Sequence, residues 1–340
     1  MGKRGGCGRG LGARRTLAFF VFLYGVAAHA ALAAEGSWWG DFSFLYLGEE
    51  VSRERLFVDI ANGDKLYSDE TLSWAPGWRV EFGYTFPTGR GVSLAYMGRV
   101  ASSEASISSA FPGGTILSTF QDFADPLTVF GAFDLSALDI IELETAFHSW
   151  EANFHMPIWV DGGRFGISGR LGPRVIWIQD RFSITGVDEI PRTPFNVARL
   201  QVDMDNLLIG GQVGLGAWWR VCPWFSLSGD VNVGAYYGHI GQDVSFVDSE
   251  LITAWSSRDT KDLAGLFGEL RLAGEFRIIE RLLSARLGYM LLWITDTGRS
   301  INQVGPRSFL PASSLPPGDL GVHADYTLYH GGLLSLVVRF

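Results

Sequence analysis

Apolar and polar residues alternate with a period of two along most of the chain. In the stretch GWRVEFGYTF, residues 77–86, every second residue is aromatic or aliphatic, and the residues between them are Arg, Glu, Gly and Thr. Successive side chains of a β-strand point to opposite faces, so this period predicts a strand with one apolar and one polar face. The pattern resumes over residues 92–100, after a turn that contains proline and glycine. The two segments together predict a β-hairpin.

The same alternation predicts ten strands in all. Besides the hairpin, they cover residues 41–46, 150–156, 164–177, 209–219, 225–237, 269–278, 283–293 and 326–340. Two kinds of connection alternate between them. Short turns fall at Pro87–Gly91, Asp161–Gly163, Arg220–Trp224 and Ile279–Arg281, and long loops fall near 49–77, 101–140, 181–205, 238–262 and 295–325.

This sorting of the connections predicts an all-β fold, a transmembrane antiparallel up-and-down barrel with short periplasmic turns and long extracellular loops. The predicted strands have roughly the ten residues that a tilted strand needs to cross the hydrocarbon layer. A soluble barrel gives no reason for such sorting. An additional hairpin formed by Thr115–Phe120 and Leu127–Phe133 would make twelve strands instead of ten.

Aromatic residues of the apolar phase concentrate near the strand ends. Two such girdles at opposite ends, with mostly aliphatic residues between them, are typical of a barrel in lipid, so the apolar phase is expected to face outward. One girdle lies beside the short turns and consists of Phe86, Trp159, Trp219 and Trp224. The other lies beside the long loops and consists of Tyr46, Trp78, Trp177, Tyr237 and Trp293.

The two ends of the chain carry features of export and assembly. Residues 1–33 contain a basic stretch, a short apolar core and the Ala31-Leu32-Ala33 cleavage pattern, which predict a cleaved signal peptide and leave 34–340 as one barrel domain. The formal net charge of −9 becomes −14 when the five basic residues of this segment are removed. Such acidity argues against nucleic acid as a partner. At the other end, Leu336, Val338 and Phe340 resemble the terminal signal by which outer-membrane barrels are recognised during assembly.

Short strings further along the chain resemble a known family. The run Asn206–Gly214 has the form N-x-L-x-G-x-Q-x-G, Ser149–Asn153 has the form S-x-E-x-N, and the hairpin from Leu266 to Trp293 completes the likeness. Together they resemble the planctomycete-type outer-membrane β-barrel porins, which are related to the Legionella-type major outer-membrane proteins. The resemblance implies an outer-membrane, porin-like role. Outer-membrane lipid, and assembly machinery and periplasmic chaperones during biogenesis, are then the expected partners, and a homo-oligomer is possible.

The polar phase should line the interior. It carries both signs of charge, so its side chains either fill and plug a narrow barrel or line a slim channel for small polar solutes. The polar positions assigned to the interior are Arg79, Glu81, Arg99, Glu151, Asn153, His155, Arg170, Arg174, Asn206, Gln212, Asp230, Asn232, Glu269, Arg271, Glu275, Arg277 and Arg286.

Three functional classes remain open from the sequence. Porin-like passive diffusion leads, and a closed structural or adhesive barrel with functional extracellular loops is the alternative. A hydrolase at the outer rim, using His323 with Asp325 or His239 with Asp243, comes third, since the chain carries no recognisable catalytic motif. We therefore expect neither an enzyme nor a cofactor. Whether the loop carboxylates bind a metal is left undecided. Cys222, the single cysteine after the predicted signal, is expected to be structural.

Overall fold

The computed structural model describes residues 36–50, 55–59, 64–67, 74–108, 116–118, 136–188, 196–248, 253–280, 282–300, 303, 322 and 324–340. The predicted signal peptide and the segment Leu127–Phe133 lie outside these residues. Within the described part of the chain, no helix is long and apolar enough to cross a membrane.

Ten antiparallel strands close into a barrel. In chain order the thirteen strands are β1 (Ser37–Glu50), β2 (Arg55–Asp59), β3 (Lys65–Tyr67), β4 (Ala75–Thr85), β5 (Gly91–Ser108), β6 (Ile116–Ser118), β7 (Leu138–Asp161), β8 (Phe165–Asp188), β9 (Asn196–Cys222), β10 (Phe225–Asp248), β11 (Thr253–Ile279), β12 (Leu283–Gly298) and β13 (Ala324–Arg339). The order around the barrel is β1-β13-β12-β11-β10-β9-β8-β7-β5-β4, which closes on β1. The predicted fold and the strand number of ten are confirmed.

The twelve-strand alternative is wrong. The segment around Thr115–Phe120 does contain a strand, β6, but that strand pairs with β2 and not with the barrel. Together β3, β2 and β6 form a separate three-stranded sheet, whose strands belong to the predicted long loops 49–77 and 101–140.

Two of the five predicted long loops are also wrong. Residues 181–188 and 196–205 continue β8 and β9, and residues 238–248 and 253–262 continue β10 and β11, so only 189–195 and 249–252 connect these strands. Strands β7 to β11 are accordingly 24 to 27 residues long, whereas β12 and β13 have 16, β1 has 14 and β4 has 11. A tilted strand crosses the hydrocarbon layer with about ten residues, so one side of the wall projects far beyond it.

The polarity of the two faces inverts part-way up each tall strand. In the lower part of β9, Ile209 and Val213 face outward and Gln212 faces inward, whereas in the upper part Gln201 faces outward and Val202 and Met204 face inward. An apolar outer face suits lipid and a polar outer face suits water, so the inversion marks the outer surface of the membrane. We call the part of the tall strands above it the outer lobe, residues 101–108, 138–145, 179–188, 196–205, 239–248 and 253–262.

The predicted aromatic girdles lie on the outer face, at the two edges of the apolar belt. Trp159, Trp219 and Trp224 are more than half exposed beside short turns, and Tyr237 is exposed just below the inversion of polarity. Phe86 and Trp177 are half-buried, and the Trp177 indole donates a hydrogen bond to Asp205 over 2.6 Å. The belt between the girdles is therefore the membrane-spanning part of the barrel.

A charge introduced in the middle of this belt should destabilise the barrel. Val213 is 59% exposed on the outer face between the girdles. We expect Val213→Arg to lower the free energy of unfolding in lipid vesicles by about 2 to 4 kcal/mol, because a lipid-facing arginine near the midplane is poorly solvated. Gln201→Arg, on the same face of the same strand but within the outer lobe, should change it by less than about 0.5 kcal/mol. Equal losses from both substitutions would mean that the membrane surface is misplaced.

Candidate functional site: the closed barrel interior

All seventeen polar residues predicted to line the interior have side chains on the inner face, buried or half-buried. Most of them lie in the membrane-spanning part and divide between a central layer and the periplasmic mouth. Arg99 and Asn206 lie closer to the outer lobe, at the level of the outer surface of the membrane. The central polar layer consists of Arg79, Glu81, Glu151, Asn153, Arg174, Gln212 and Glu269. The residues nearer the mouth are His155, Arg170, Asp230, Asn232, Arg271, Glu275, Arg277 and Arg286.

Arg174 holds the central polar layer together. Its Nη1 donates to Glu269 Oε2 over 2.7 Å, its Nε donates to Ser149 Oγ over 2.9 Å, and its Nη2 lies 3.6 Å from Glu151 Oε1. The side chains of Arg174, Glu151 and Glu269 are at most 1% exposed. Glu151 is the direct cross-strand neighbour of Arg174 on β7, whereas Glu269 lies on β11, so the pair of Arg174 with Glu269 crosses the interior of the barrel.

The rest of the layer completes this network. Arg79 Nη1 donates to Glu81 Oε2 over 2.6 Å, and Ser93 Oγ donates to Glu81 Oε1 over 2.8 Å. The Gln212 amide donates to Glu151 over 3.0 Å and to Asn153 over 2.8 Å. Charged groups buried in this way are tolerated only when they are paired and hydrogen-bonded.

An apolar layer covers the central polar layer on its extracellular side. It is built from buried side chains of nearly every barrel strand, and the Arg174 guanidinium lies 5.0 Å from the centre of the Phe267 ring. The Phe147 and Tyr329 rings belong to the same apolar layer and contact each other, with ring centroids 5.0 Å apart. Its other members include Leu45, Leu47, Met97, Ile176, Ile178, Leu208, Met290 and Leu292.

A second buried polar cluster, the upper polar layer, lies beyond the apolar layer and consists of Glu49, Arg99, Asp180, Arg299 and Tyr329. Arg299 Nε donates to Asp180 Oδ2 over 2.8 Å, and its Nη1 contacts Glu49. Arg99 Nη1 donates to the same Glu49 carboxylate over 3.0 Å. Arg299 thus connects β8 to β1 across the barrel.

A distortion of β12 brings Arg299 into the barrel. The pairing of β12 with β13 shifts between Ile294 and Thr297, and Asp296 has a φ of 51°, in the left-handed region. The Asn206 side chain then holds Gly298 by two hydrogen bonds, one to its carbonyl over 2.9 Å and one from its amide over 2.7 Å. A Cβ at Gly298 would lie 2.4 Å from the terminal methyl of Met204 and 2.7 Å from Ile240 Cγ2, so both side chains would have to shift to admit a larger residue.

The residues of the upper polar layer were only partly predicted. Arg99 belongs to the set predicted for the interior, whereas Glu49 and Asp180 lie within or beside predicted loops. Both continue the inward phase of their strands, so a longer count of alternate positions would have found them. Arg299 follows the distortion of β12 and has no periodic signal.

The outer lobe is built in the opposite sense from the membrane-spanning part. Its inner face is an apolar core that includes Leu143, Phe182, Val202 and Phe246, closed by Ile116 and Val322 from the long connections. Its outer face carries exposed ion pairs. The outer lobe is thus a folded, water-exposed unit that continues the barrel wall.

The rim hydrolase pairs have no support in the described residues. His239 Nδ1 contacts Asp262 over 2.7 Å and not Asp243, which instead accepts a hydrogen bond from Arg258 over 2.7 Å. The hydrogen bonds from His239 and Tyr237 lower the pKa of the exposed Asp262 carboxyl. His323 lies outside the described residues. Within the described ranges, no three His, Cys, Asp or Glu side chains are grouped to hold a metal ion.

No protein-family model matches the chain, and no curated protein matches it. Among solved structures, the outer-membrane protease OmpT from Escherichia coli is 10% identical, with 91% of this chain and 98% of that chain covered and a TM-score of 0.45. The translocator domain of the autotransporter NalP from Neisseria meningitidis is 12% identical, with 96% and 98% covered and a TM-score of 0.35. A major outer-membrane protein from Thermus thermophilus is 10% identical, with 88% and 99% covered and a TM-score of 0.30. At these values the similarities carry no argument about activity.

Proposed function

We propose that this protein is a closed outer-membrane barrel that holds its folded outer lobe at the cell surface and acts through that lobe. The observation that carries the proposal is the pair of buried polar layers with an apolar layer between them. Arg174 and Glu269 in one layer, and Arg299 and Asp180 in the other, are joined across the interior with almost no exposed side-chain area. Small barrels are just wide enough for side chains to fill them in this way.

The outer lobe supports the second half of the proposal. Strands of 24 to 27 residues are far longer than crossing the membrane requires. Their upper parts bury an apolar core and expose ion pairs such as Arg181 with Asp203. A surface held rigidly above lipid is suited to binding a partner, so structural or adhesive work is the function that this geometry supports best.

Porin-like diffusion of small polar solutes is the second candidate. It is favoured by the charged character of the lower interior, where Arg170 pairs with Asp230 and Arg286 with Asp41. Charged walls of both signs are a feature of solute channels. Passage would require the central polar layer and the apolar layer to rearrange.

The resemblance to planctomycete-type porins belongs to this proposal as well. Of the residues that carry it, Glu151, Asn153 and Gln212 contact one another in the central polar layer, and Asn206 holds Gly298. A family that shares these strings would therefore share these hydrogen bonds, which help to fill the interior of the barrel. We propose outer-membrane lipid as the partner of the apolar belt, and assembly through the Leu336, Val338 and Phe340 signal. The Phe340 ring is exposed on the outer face where β13 meets β1.

A liposome-swelling assay separates the two candidates. Vesicles that contain the refolded protein are diluted into an isotonic solution of a small sugar, and light scattering follows sugar entry. We expect sugar to enter these vesicles at the same rate as protein-free vesicles, because the filled interior leaves no aqueous path. Swelling that rises in proportion to the amount of folded protein would favour the porin-like candidate.

A further inference from the structure

A basic cavity opens at the periplasmic mouth, on the opposite side of the central polar layer from the outer lobe. It has a volume of about 360 Å³ and lies among the inner faces of β8 to β13. Four arginines line it, Arg220, Arg277, Arg286 and Arg339, against two carboxylates, Asp230 and Glu275. The cavity therefore carries an excess of positive charge in a chain whose formal net charge is −9.

Two of these arginines have no carboxylate partner among the described residues. Arg286 pairs with Asp41 and Glu275, and Arg339 pairs with Glu275. Arg220 instead lies 5.9 Å from the Trp218 ring centre, and its buried Nε donates to no atom of the described part of the chain. Among the described residues, the Arg277 guanidinium donates to the Pro223 carbonyl alone, over 3.1 Å. A buried guanidinium donor without an acceptor is costly, so an anion in the cavity would be bound favourably.

Polar side chains approach one point of the cavity wall closely. Position 216 on β9 faces inward and is glycine; a Cβ there would lie 2.8 Å from Asp230 Oδ1 and 3.0 Å from Ser168 Oγ. The Ser226 hydroxyl lines the same space and can donate to an oxyanion, whereas the Ser228 hydroxyl donates to the Ala273 carbonyl over 3.3 Å. Guanidinium and hydroxyl groups that converge on one space are typical of phosphate and carboxylate recognition.

An adjoining cavity extends the space along the periplasmic mouth. It has a volume of about 260 Å³, shares Ser168 and Trp218 with the first, and is also lined by Trp39, Thr85 and His155. A compartment rich in arginine next to one with indole side chains in its wall fits a small molecule that carries an anionic group on an aromatic body.

We propose that this periplasmic vestibule, the two cavities that meet at Ser168 and Trp218, binds a small organic oxyanion, with Arg220 and Arg277 holding the phosphate or carboxylate group. The vestibule ends at the central polar layer, so it is a binding site at the periplasmic face and is independent of the function assigned to the outer lobe.

Isothermal titration calorimetry of the refolded full chain in detergent at low ionic strength tests this site, with phenyl phosphate and benzoate as separate probes. We expect saturable binding of at least one probe, and the more tightly bound probe identifies the oxyanion. The double variant Arg220→Gln/Arg277→Gln should weaken binding at least about tenfold, because both charged donors to the oxyanion are lost. Arg90→Gln, which removes an exposed arginine in a turn at the same end of the barrel, should leave affinity within about twofold.

A second variant tests the shape of the site without changing its charge. Gly216→Val would push the Asp230 and Ser168 side chains toward the cavity, because a Cβ at this position already lies 2.8 Å from Asp230 Oδ1, and should also weaken binding. The shift of the folded band in gel electrophoresis confirms an intact barrel. Absence of saturable binding of both probes at millimolar concentration would overturn the proposal. So would equal affinity in the wild-type protein and the double variant, or an equal loss in Arg90→Gln.

Discussion

Arg174→Ala should lower the free energy of unfolding by about 3 to 5 kcal/mol. The substitution removes the guanidinium that lies 2.7 Å from Glu269 and 3.6 Å from Glu151, and both carboxylates are buried from water. As ion-pair partners among the described residues, Glu269 would keep only Arg271, 3.1 Å away and outside hydrogen-bond geometry, and Glu151 would keep only Arg79 at 3.8 Å. A buried carboxylate that loses its hydrogen-bonded partner is far more costly than the ion pair itself. The Phe267 ring also loses its cationic neighbour. Urea unfolding of the protein folded into lipid vesicles measures the loss.

Arg181→Ala provides the matched control for this prediction. Arg181 lies on the same strand, but in the outer lobe, and its side chain is 45% exposed beside Glu144 and Asp203. Exposed ion pairs contribute little, so the control should change stability by less than about 1 kcal/mol. The double variant Arg174→Met/Glu269→Leu should be more stable than Arg174→Ala, because the Glu269 charge leaves together with its partner. Similar effects of Arg174→Ala and Arg181→Ala would contradict the buried position of the central polar layer.

Arg299→Ala should cause the second large loss, about 3 kcal/mol. Asp180 would keep only the Ser300 amide as a donor among the described residues, at 3.2 Å, whereas Glu49 would keep Arg99. Arg299→Lys retains the charge, but an ammonium group does not have the separate planar donors with which the guanidinium contacts Asp180 and Glu49. The free energy of unfolding of this variant should therefore lie between those of the alanine variant and the wild type. The same unfolding assay measures both variants.

The control for Arg299 is Arg258, which pairs with Asp243 on the exposed face of the outer lobe. We expect Arg258→Ala to change stability by less than about 1 kcal/mol. A loss from Arg299→Ala no larger than this control would show that the segment after β12 does not enter the barrel in the membrane.

Most of the membrane-spanning fold was predictable because lipid and the barrel interior impose one alternation on every strand. The short turns are sorted to one end, and the residues that were assigned to the interior from their phase all face it. The outer lobe was missed for the same physical reason. Val202 and Met204 face inward, in the same alternation as Gln212. In the outer lobe, however, the outer face meets water and the inner face packs into an apolar core, so polar and apolar residues exchange places. In the sequence alone, this inverted alternation resembles an irregular polar loop.

The closing contacts were predictable only in part. Pairing between interior charges could be expected from their mixed signs, but periodicity does not show which side chain lies opposite which across the barrel. Glu49 and Asp180 required the strands to be longer than predicted. Arg299 depends on a local distortion, on the left-handed Asp296 and on the two hydrogen bonds of Asn206, which arise only once β9 and β12 are placed.

The central claim, that the barrel interior is closed, is tested most directly by planar-bilayer recording of the refolded protein. The filled central and upper polar layers predict no current steps above the lipid background at moderate voltage. Reproducible current steps of one unit size from the wild-type protein, in preparations with the gel shift of a folded barrel, would contradict the claim and favour the porin-like function.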